Sequence, residues 1–160
     1  MTLAGTTVAV EGLELDELQR EVLGEEITAL LAGLHTPQAR APWGDLAVAV
    51  EGGTVPEALL PRLESVLEMS LQTGRARKIH GADGEQTLLR LFHRTPRGAA
   101  ARRSTEAVNA ALRTLAGQTL ESLLVTSQGP GVFRLGVSTD RCKLALEFDR
   151  HGVTVESLEV

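Results

Sequence analysis

The chain has 160 residues and a mass of 17.1 kDa, and its 42% hydrophobic and 23% charged residues are the composition of an ordinary globular protein with one core. Only 2% is aromatic (Trp43, Phe92, Phe133 and Phe148, with no tyrosine), which argues against the stacking platforms of single-strand nucleic-acid grooves and methyl-lysine cages. The net charge of −5 implies no general attraction to nucleic acid or anionic membranes, but it is segregated: residues 1–70 carry 12 acidic and 3 basic side chains, 71–118 carry 3 and 9, and 119–160 carry 6 and 4.

In chain order, residues 6–11 (TTVAVE) are short and β-branched and predict a strand. Asp16 then opens a helix, with Gln19 at the reciprocal capping position and Leu15, Leu18 and Val22 on one face. The stripe resumes at Ile27, Leu30, Leu31 and Leu34 and ends near His35, because Pro37 disfavours helix in the residue before it. A connection containing Pro42 leads to a second predicted strand at 45–51 (DLAVAVE). There Val8-Ala-Val-Glu-Gly12 recurs letter for letter as Val48-Ala-Val-Glu-Gly52; a duplicated β-α unit and the shared physics of Val/Ala-rich strands both account for it. Thr54 and Glu57 resemble a capping box ahead of a helix striped by Leu59, Leu60, Leu63, Val66, Leu67 and Leu71, with Pro61 expected to kink it and Gly74 to cap it.

Residues 77–80 and 85–93 flank Gly81-Ala-Asp-Gly84, a hairpin signal. A further helix begins between Thr95 and Ser104, shows Val108, Ala111, Leu112 and Leu115 on one face and closes at Gly117. Strands follow at 119–126, 132–138, 142–148 and 153–158, joined by turn-like SQGPG, STDR and DRHG. Cys142, Leu144, Leu146 and Phe148 alternate with Lys143, Ala145, Glu147 and Asp149, as in a meander with one buried face. The expectation is a single α+β domain over residues 1–160, with a largely antiparallel sheet, a C-terminal four-stranded meander and three covering helices in the order β-α-β-α-β-β-α-β-β-β-β. Residues 1–74 and 75–160 are candidate subdomains.

Candidate chemistry is sparse. Cys142 falls among apolar side chains of its strand and reads as a core thiol, and a lone cysteine excludes an internal disulfide and fits a reducing, cytoplasmic setting. His35, His80, His93 and His151 lack metal-pair spacing, and the proposed hairpin places His80 opposite Glu85. Glu11 and Glu51 occupy equivalent strand exits but lack a third acidic ligand, and neither nucleotide-binding glycine pattern occurs. No cofactor or metal is expected, and no apolar run reaches the length of a membrane span.

The basic island remains: Arg75, Arg77, Lys78, Arg90, Arg94, Arg97, Arg102 and Arg103 are the candidate anion- or partner-binding residues, with Arg75 expected opposite Arg90 across the hairpin. Solvated arginines, pairing with the acidic N-terminal half, and a nucleic-acid backbone all account for them. The favoured expectation is a non-enzymatic interaction or regulatory module, homodimeric through a sheet edge or helix face, with itself or an acidic protein as partner. The alternative is a nucleic-acid-associated protein using the basic island. An enzyme or small-ligand binder ranks third and calls for an apolar pocket holding His93 or Glu85 beside an arginine. With Phe133 and Phe148 at core-like positions, Phe92 and Trp43 are the aromatics left as exposed anchors.

Overall fold

A computed structural model describes residues 12–160, so the strand expected at 6–11 and most of the first repeat copy lie outside the described residues. The elements are β1 (Gly12–Glu14), α1 (Glu17–Gly33), α2 (Pro37–Gly52), β2 (Thr54–Pro56), a short 3-10 turn (Glu57–Leu59), α3 (Leu60–Gln72), α4 (Arg75–His93), α5 (Pro96–Thr114), β3 (Leu120–Gly129), β4 (Val132–Thr139), β5 (Lys143–Asp149) and β6 (Gly152–Glu159). The α+β class and the four-stranded C-terminal meander are as expected. Among the described residues five α-helices are present rather than three, because three of the predicted strands, 45–51, 77–80 and 85–93, are helical, the last two within one helix. By compactness the chain divides into two units, Met1–Pro96 and Arg97–Val160.

In the first unit α1 starts as its residues dictate. The Asp16 carboxylate accepts from the Gln19 amide at 2.8 Å while the Gln19 side chain accepts from the Asp16 amide at 3.1 Å, a complete capping box. Residues 45–51 are not a strand but the second half of α2. Leu46, Val48 and Val50 suggest period two, yet Trp43, Leu46, Ala47 and Val50 are an i, i+3, i+4, i+7 stripe. The helix wins: Leu46 and Val50 are buried, Trp43 and Ala47 pack on the same core, and Val48 is 70% exposed. Thr36 caps this helix through its hydroxyl, which accepts from the Ala39 amide at 3.2 Å, and Pro37 follows in the first turn. The second repeat copy therefore closes a helix, whereas Gly12 belongs to β1.

Thr54 and Glu57 do not form a capping box. Residues 54–56 pair antiparallel with β1, Leu13 opposite Val55, and Pro61 sits in the first turn of α3, where it kinks nothing. Nor is there a hairpin at 77–93. Gly84, Thr87, Leu88 and Leu91 are buried at helical spacing, and the glycine signal survives as a break within α4: Gly81 has φ 71° and ψ −170°, a backbone region open to glycine almost alone. The glycines redirect a helix there instead of reversing a strand. Leu23, Ile27, Leu63, Leu67, Leu88 and Leu91 form the centre of this core.

In the second unit the antiparallel sheet runs in the order β3-β4-β5-β6. Val108 and Ala111 of α5 pack with Val137, Leu144 and Leu146, and Leu115, Leu135, Val153 and Val155 join this second core at its margin. The Ser104 hydroxyl donates to the Val153 carbonyl and ties α5 to the sheet. Cys142 is buried and unpaired, as its period-two pattern predicts. Phe133 and Phe148 face each other across β4 and β5 but are 46% and 39% exposed, so their core-like alternation misleads. Phe92 and Trp43, the candidate anchors, instead pack on the first core.

Candidate functional site

The basic island does not assemble as the hairpin implied. Arg75, Arg77, Lys78, Arg90 and Arg94 belong to the first unit and Arg97, Arg102 and Arg103 to the second. Arg75 and Arg90 are not cross-strand neighbours but residues of one helix on either side of the Gly81 break. Arg75 donates to Glu26 Oε2 at 3.0 Å, Arg77 pairs with Glu85 at 3.6 Å and Arg102 with Glu106 at 3.6 Å. Arg94 is committed to the backbone: its guanidinium reaches the Glu14 carbonyl at 2.8 Å and the Gln19 side chain at 3.4 Å, fixing the junction between β1 and α1. Among the described residues Lys78, Arg90 and Arg103 form no ion pair. The observed pairings are those of an acidic chain neutralising its own arginines.

The most elaborate polar group is one the sequence reading passed over. Glu26, in α1 between Leu23 and Ile27, has a side chain 2% exposed, and its two oxygens are divided between Arg75 Nε at 3.0 Å and His80 Nε2 at 2.7 Å. Burial pushes this carboxyl up, but the neighbouring Ser70 hydroxyl, His80 and the Arg75 guanidinium outweigh it and hold the group below the ordinary carboxylate range. In the rotamer present, the buried Ser70 hydroxyl stops short of hydrogen-bond geometry. An ionised carboxylate can only accept, so His80 Nε2 is the donor. His80 does not face Glu85; its Nδ1 lies 3.5 Å from Glu25 Oε2. Gly84 makes the approach possible, since a Cβ there would come within 2.1 Å of the His80 Cβ.

Glu26, Ser70, Arg75 and His80 tie α1, α3 and α4 together. As catalytic chemistry the set is poor: the serine faces the carboxylate rather than the imidazole, and both imidazole nitrogens are directed at glutamates, leaving neither to activate a nucleophile. A detectable signal was the carboxylate inside the apolar stripe of Val22, Leu23 and Ile27, which demands buried partners.

The other candidates form no cluster within either unit. His93 is exposed in the last turn of α4, His35 lies exposed past the end of α1, and His151 sits in the β5–β6 turn, where its amide donates to Asp149 Oδ1 at 2.7 Å. Glu51 is exposed at the end of α2, and Glu11 lies outside the described residues. Among the described residues no three His, Cys, Asp or Glu side chains gather as metal ligands, and no helix is long and apolar enough to cross a membrane. A shallow concavity of about 350 Å³ lies on the sheet face opposite α5, lined by Ser122, Leu124, Thr126, Gly136, Lys143 and Glu159, and includes neither His93 nor Glu85.

What the second unit offers is an incomplete surface. β3 is an edge strand, and its Leu123, Leu124 and Val125 are 60%, 63% and 63% exposed. Leu123 stands opposite Val137 and Val125 opposite Leu135, so both share the face on which α5 packs, yet neither belongs to its core. Leu124, opposite Gly136, faces the other way and is equally bare. The strand is ten residues long with Glu121 as its single charge and no proline, whereas the opposite edge, β6, carries Glu156 and Glu159, the first paired with Arg134 at 2.8 Å. Sheet edges are normally blunted by charge, proline or cover; among the described residues β6 follows that rule and β3 does not. No protein-family model, curated protein or solved structure matches this chain.

Proposed function

We propose that this chain is a non-enzymatic interaction module of a reducing, cytoplasmic compartment, and that it works through β3 and the apolar margin beside it. The observation that carries this reading is the run Leu123-Leu124-Val125, bare on both faces of an unblunted edge strand. An exposed row of amides and carbonyls flanked by aliphatic side chains is chemically matched to one occupant class, a strand from another chain: the backbone supplies affinity and alternate side chains supply selectivity. The scarcity of aromatic residues agrees with recognition of this aliphatic, main-chain kind. A second copy of the chain, as in the homodimer expected from the sequence, and a strand of a different protein would both satisfy the edge.

A photo-crosslinking amino acid placed at Leu124 in the full-length protein in cells tests this, with one at Val48, exposed on α2, as the control. A discrete adduct from position 124, absent from position 48 and abolished by Leu123→Lys with Val125→Lys, is the expected result. The absence of any adduct at 124 overturns the reading.

A further inference from the structure

Resting on that reading, we infer that the strand completing the edge is β3 of a second copy, paired antiparallel about a two-fold axis through Leu124 to make one eight-stranded sheet. The side-chain pattern selects this partner and register. A two-fold axis perpendicular to the sheet pairs each residue with one of the same parity, so the faces of the two sheets are continuous and both α5 helices lie on the same side. With the axis at Leu124, Leu123 stands opposite Val125 of the second copy and Val125 opposite its Leu123, closing the bare strip on the α5 side with aliphatic pairs. On the other face Leu124 meets its own counterpart and Ser122 meets Thr126. Glu121, the one charge of the strand, falls opposite Ser127, so no like charges oppose each other.

Slipping the register by one residue would oppose the parities and turn apolar side chains to the wrong face, and no two-fold axis perpendicular to the sheet permits it. Moving the axis by one residue, to Val125 or to Leu123, sets Leu123 against Ser127 and Leu124 against Thr126, or Glu121 against Val125 and Ser122 against Leu124. Between Glu121 and Ser127 the Leu124-centred register alone pairs apolar with apolar and polar with polar. The stretch also suits it, because the pairing of β3 with β4 is regular from Ser122 to Ser127 and shifts only outside these limits.

Sedimentation equilibrium of the full-length protein, with far-UV circular dichroism as a check on folding, tests the inference. The expected result is a species of twice the 17.1 kDa chain mass. Leu124→Lys, which sets two cations against each other on the axis, should weaken the dimer at least about 100-fold without changing the dichroism. Leu123→Lys alone should do the same, and Leu123→Lys combined with Val125→Glu should restore the dimer, since each lysine then faces a glutamate of the other copy. A wild-type monomer up to several hundred micromolar, or a dimer indifferent to Leu124→Lys, overturns the inference; failure of the double variant to recover the dimer overturns the register. A monomer that still yields the position-124 adduct with a different protein overturns the second copy alone, whereas no adduct at all removes the interaction reading as well.

Discussion

The two units handle their least comfortable side chains in opposite ways. In the first, Glu26 is a carboxylate in the middle of an apolar stripe, and α3 and α4 supply it with Arg75, His80 and a nearby Ser70. In the second, Leu123, Leu124 and Val125 are aliphatic side chains on a sheet whose covering helix packs on β4, β5 and β6 and leaves them bare. A buried charge must be answered from within the same fold, because a partner arriving later cannot reach it. An exposed aliphatic edge can wait for another molecule. The first unit's polar residues thus hold helices together, whereas the second unit's apolar residues stay exposed and, on the function proposed above, serve recognition.

The widest gap between the units should be seen on truncating a leucine in each. Leu88→Ala, in the fully buried core of the first unit, is expected to cost about 3 kcal/mol. Leu124→Ala should cost the monomer no more than about 0.5 kcal/mol, since it removes little buried area. Urea titration reads both, the first through the fluorescence of Trp43, the lone tryptophan, which packs on the first core, and the second through far-UV dichroism at dilute protein. If Leu124→Ala proved as costly as Leu88→Ala in a monomer, β3 would be part of a core after all.

Gly84→Ala comes next. Its methyl group would meet the His80 Cβ at 2.1 Å, so either the imidazole leaves Glu26 or α4 shifts on α1, for an expected loss of about 2 kcal/mol in the Trp43 transition.

The pH dependence of stability singles out Glu26 itself. Its carboxyl is depressed in the folded state, so the stabilisation it brings is fully present above the pKa of the unfolded chain, about 4.3 for a glutamate, and is lost as pH falls through the lower folded value. Glu26→Gln should lower the urea midpoint at pH 7 by the equivalent of about 2 kcal/mol, because it leaves Arg75 and His80 without their anion. The gap between variant and wild type should then narrow steadily below about pH 4. Parallel curves over pH 7 to 3 would show that the charge on Glu26 contributes nothing to the fold.

Much of this architecture was legible where local physics decides it. The Asp16–Gln19 capping box, the stop near Gly117 and all four strands of the meander follow from capping chemistry, glycine and period-two alternation, and the strands fall within a few residues of their expected limits. Residues 45–51 were ambiguous because Leu46 and Val50 fit both periods; only the burial of Trp43 and Ala47 and the exposure of Val48 favour the helix. At 77–93 the glycines do mark a break, but Leu88 and Leu91 needed α1 and α3 to show that the chain stays helical across it. His80 lies 54 residues from Glu26, a distance no local pattern bridges. The candidate edge was half legible: three consecutive aliphatic residues in a strand mean that both faces are apolar, but whether they are covered depends on strand order and on where α5 lies.

The smallest effects are expected at the basic residues, and they test the comparison from its weak side. Lys78, Arg90 and Arg103 form no ion pair among the described residues, and the Arg102–Glu106 pair is an exposed i,i+4 contact of 3.6 Å. Charge reversal at Lys78 and Arg90 together should move the Trp43 transition by no more than about 0.5 kcal/mol, and reversal at Arg102 and Arg103 should leave dimerisation unchanged. Binding to a nucleic-acid backbone would look different. It would give a gel shift with duplex DNA at low salt that weakens steeply as salt rises, is lost on replacing Arg94, Arg97, Arg102 and Arg103 by Glu, and is untouched by Leu124→Lys. That pattern would move recognition from the aliphatic edge to the arginines. No shift at low salt with duplex or single strands removes the arginines as a nucleic-acid-binding surface.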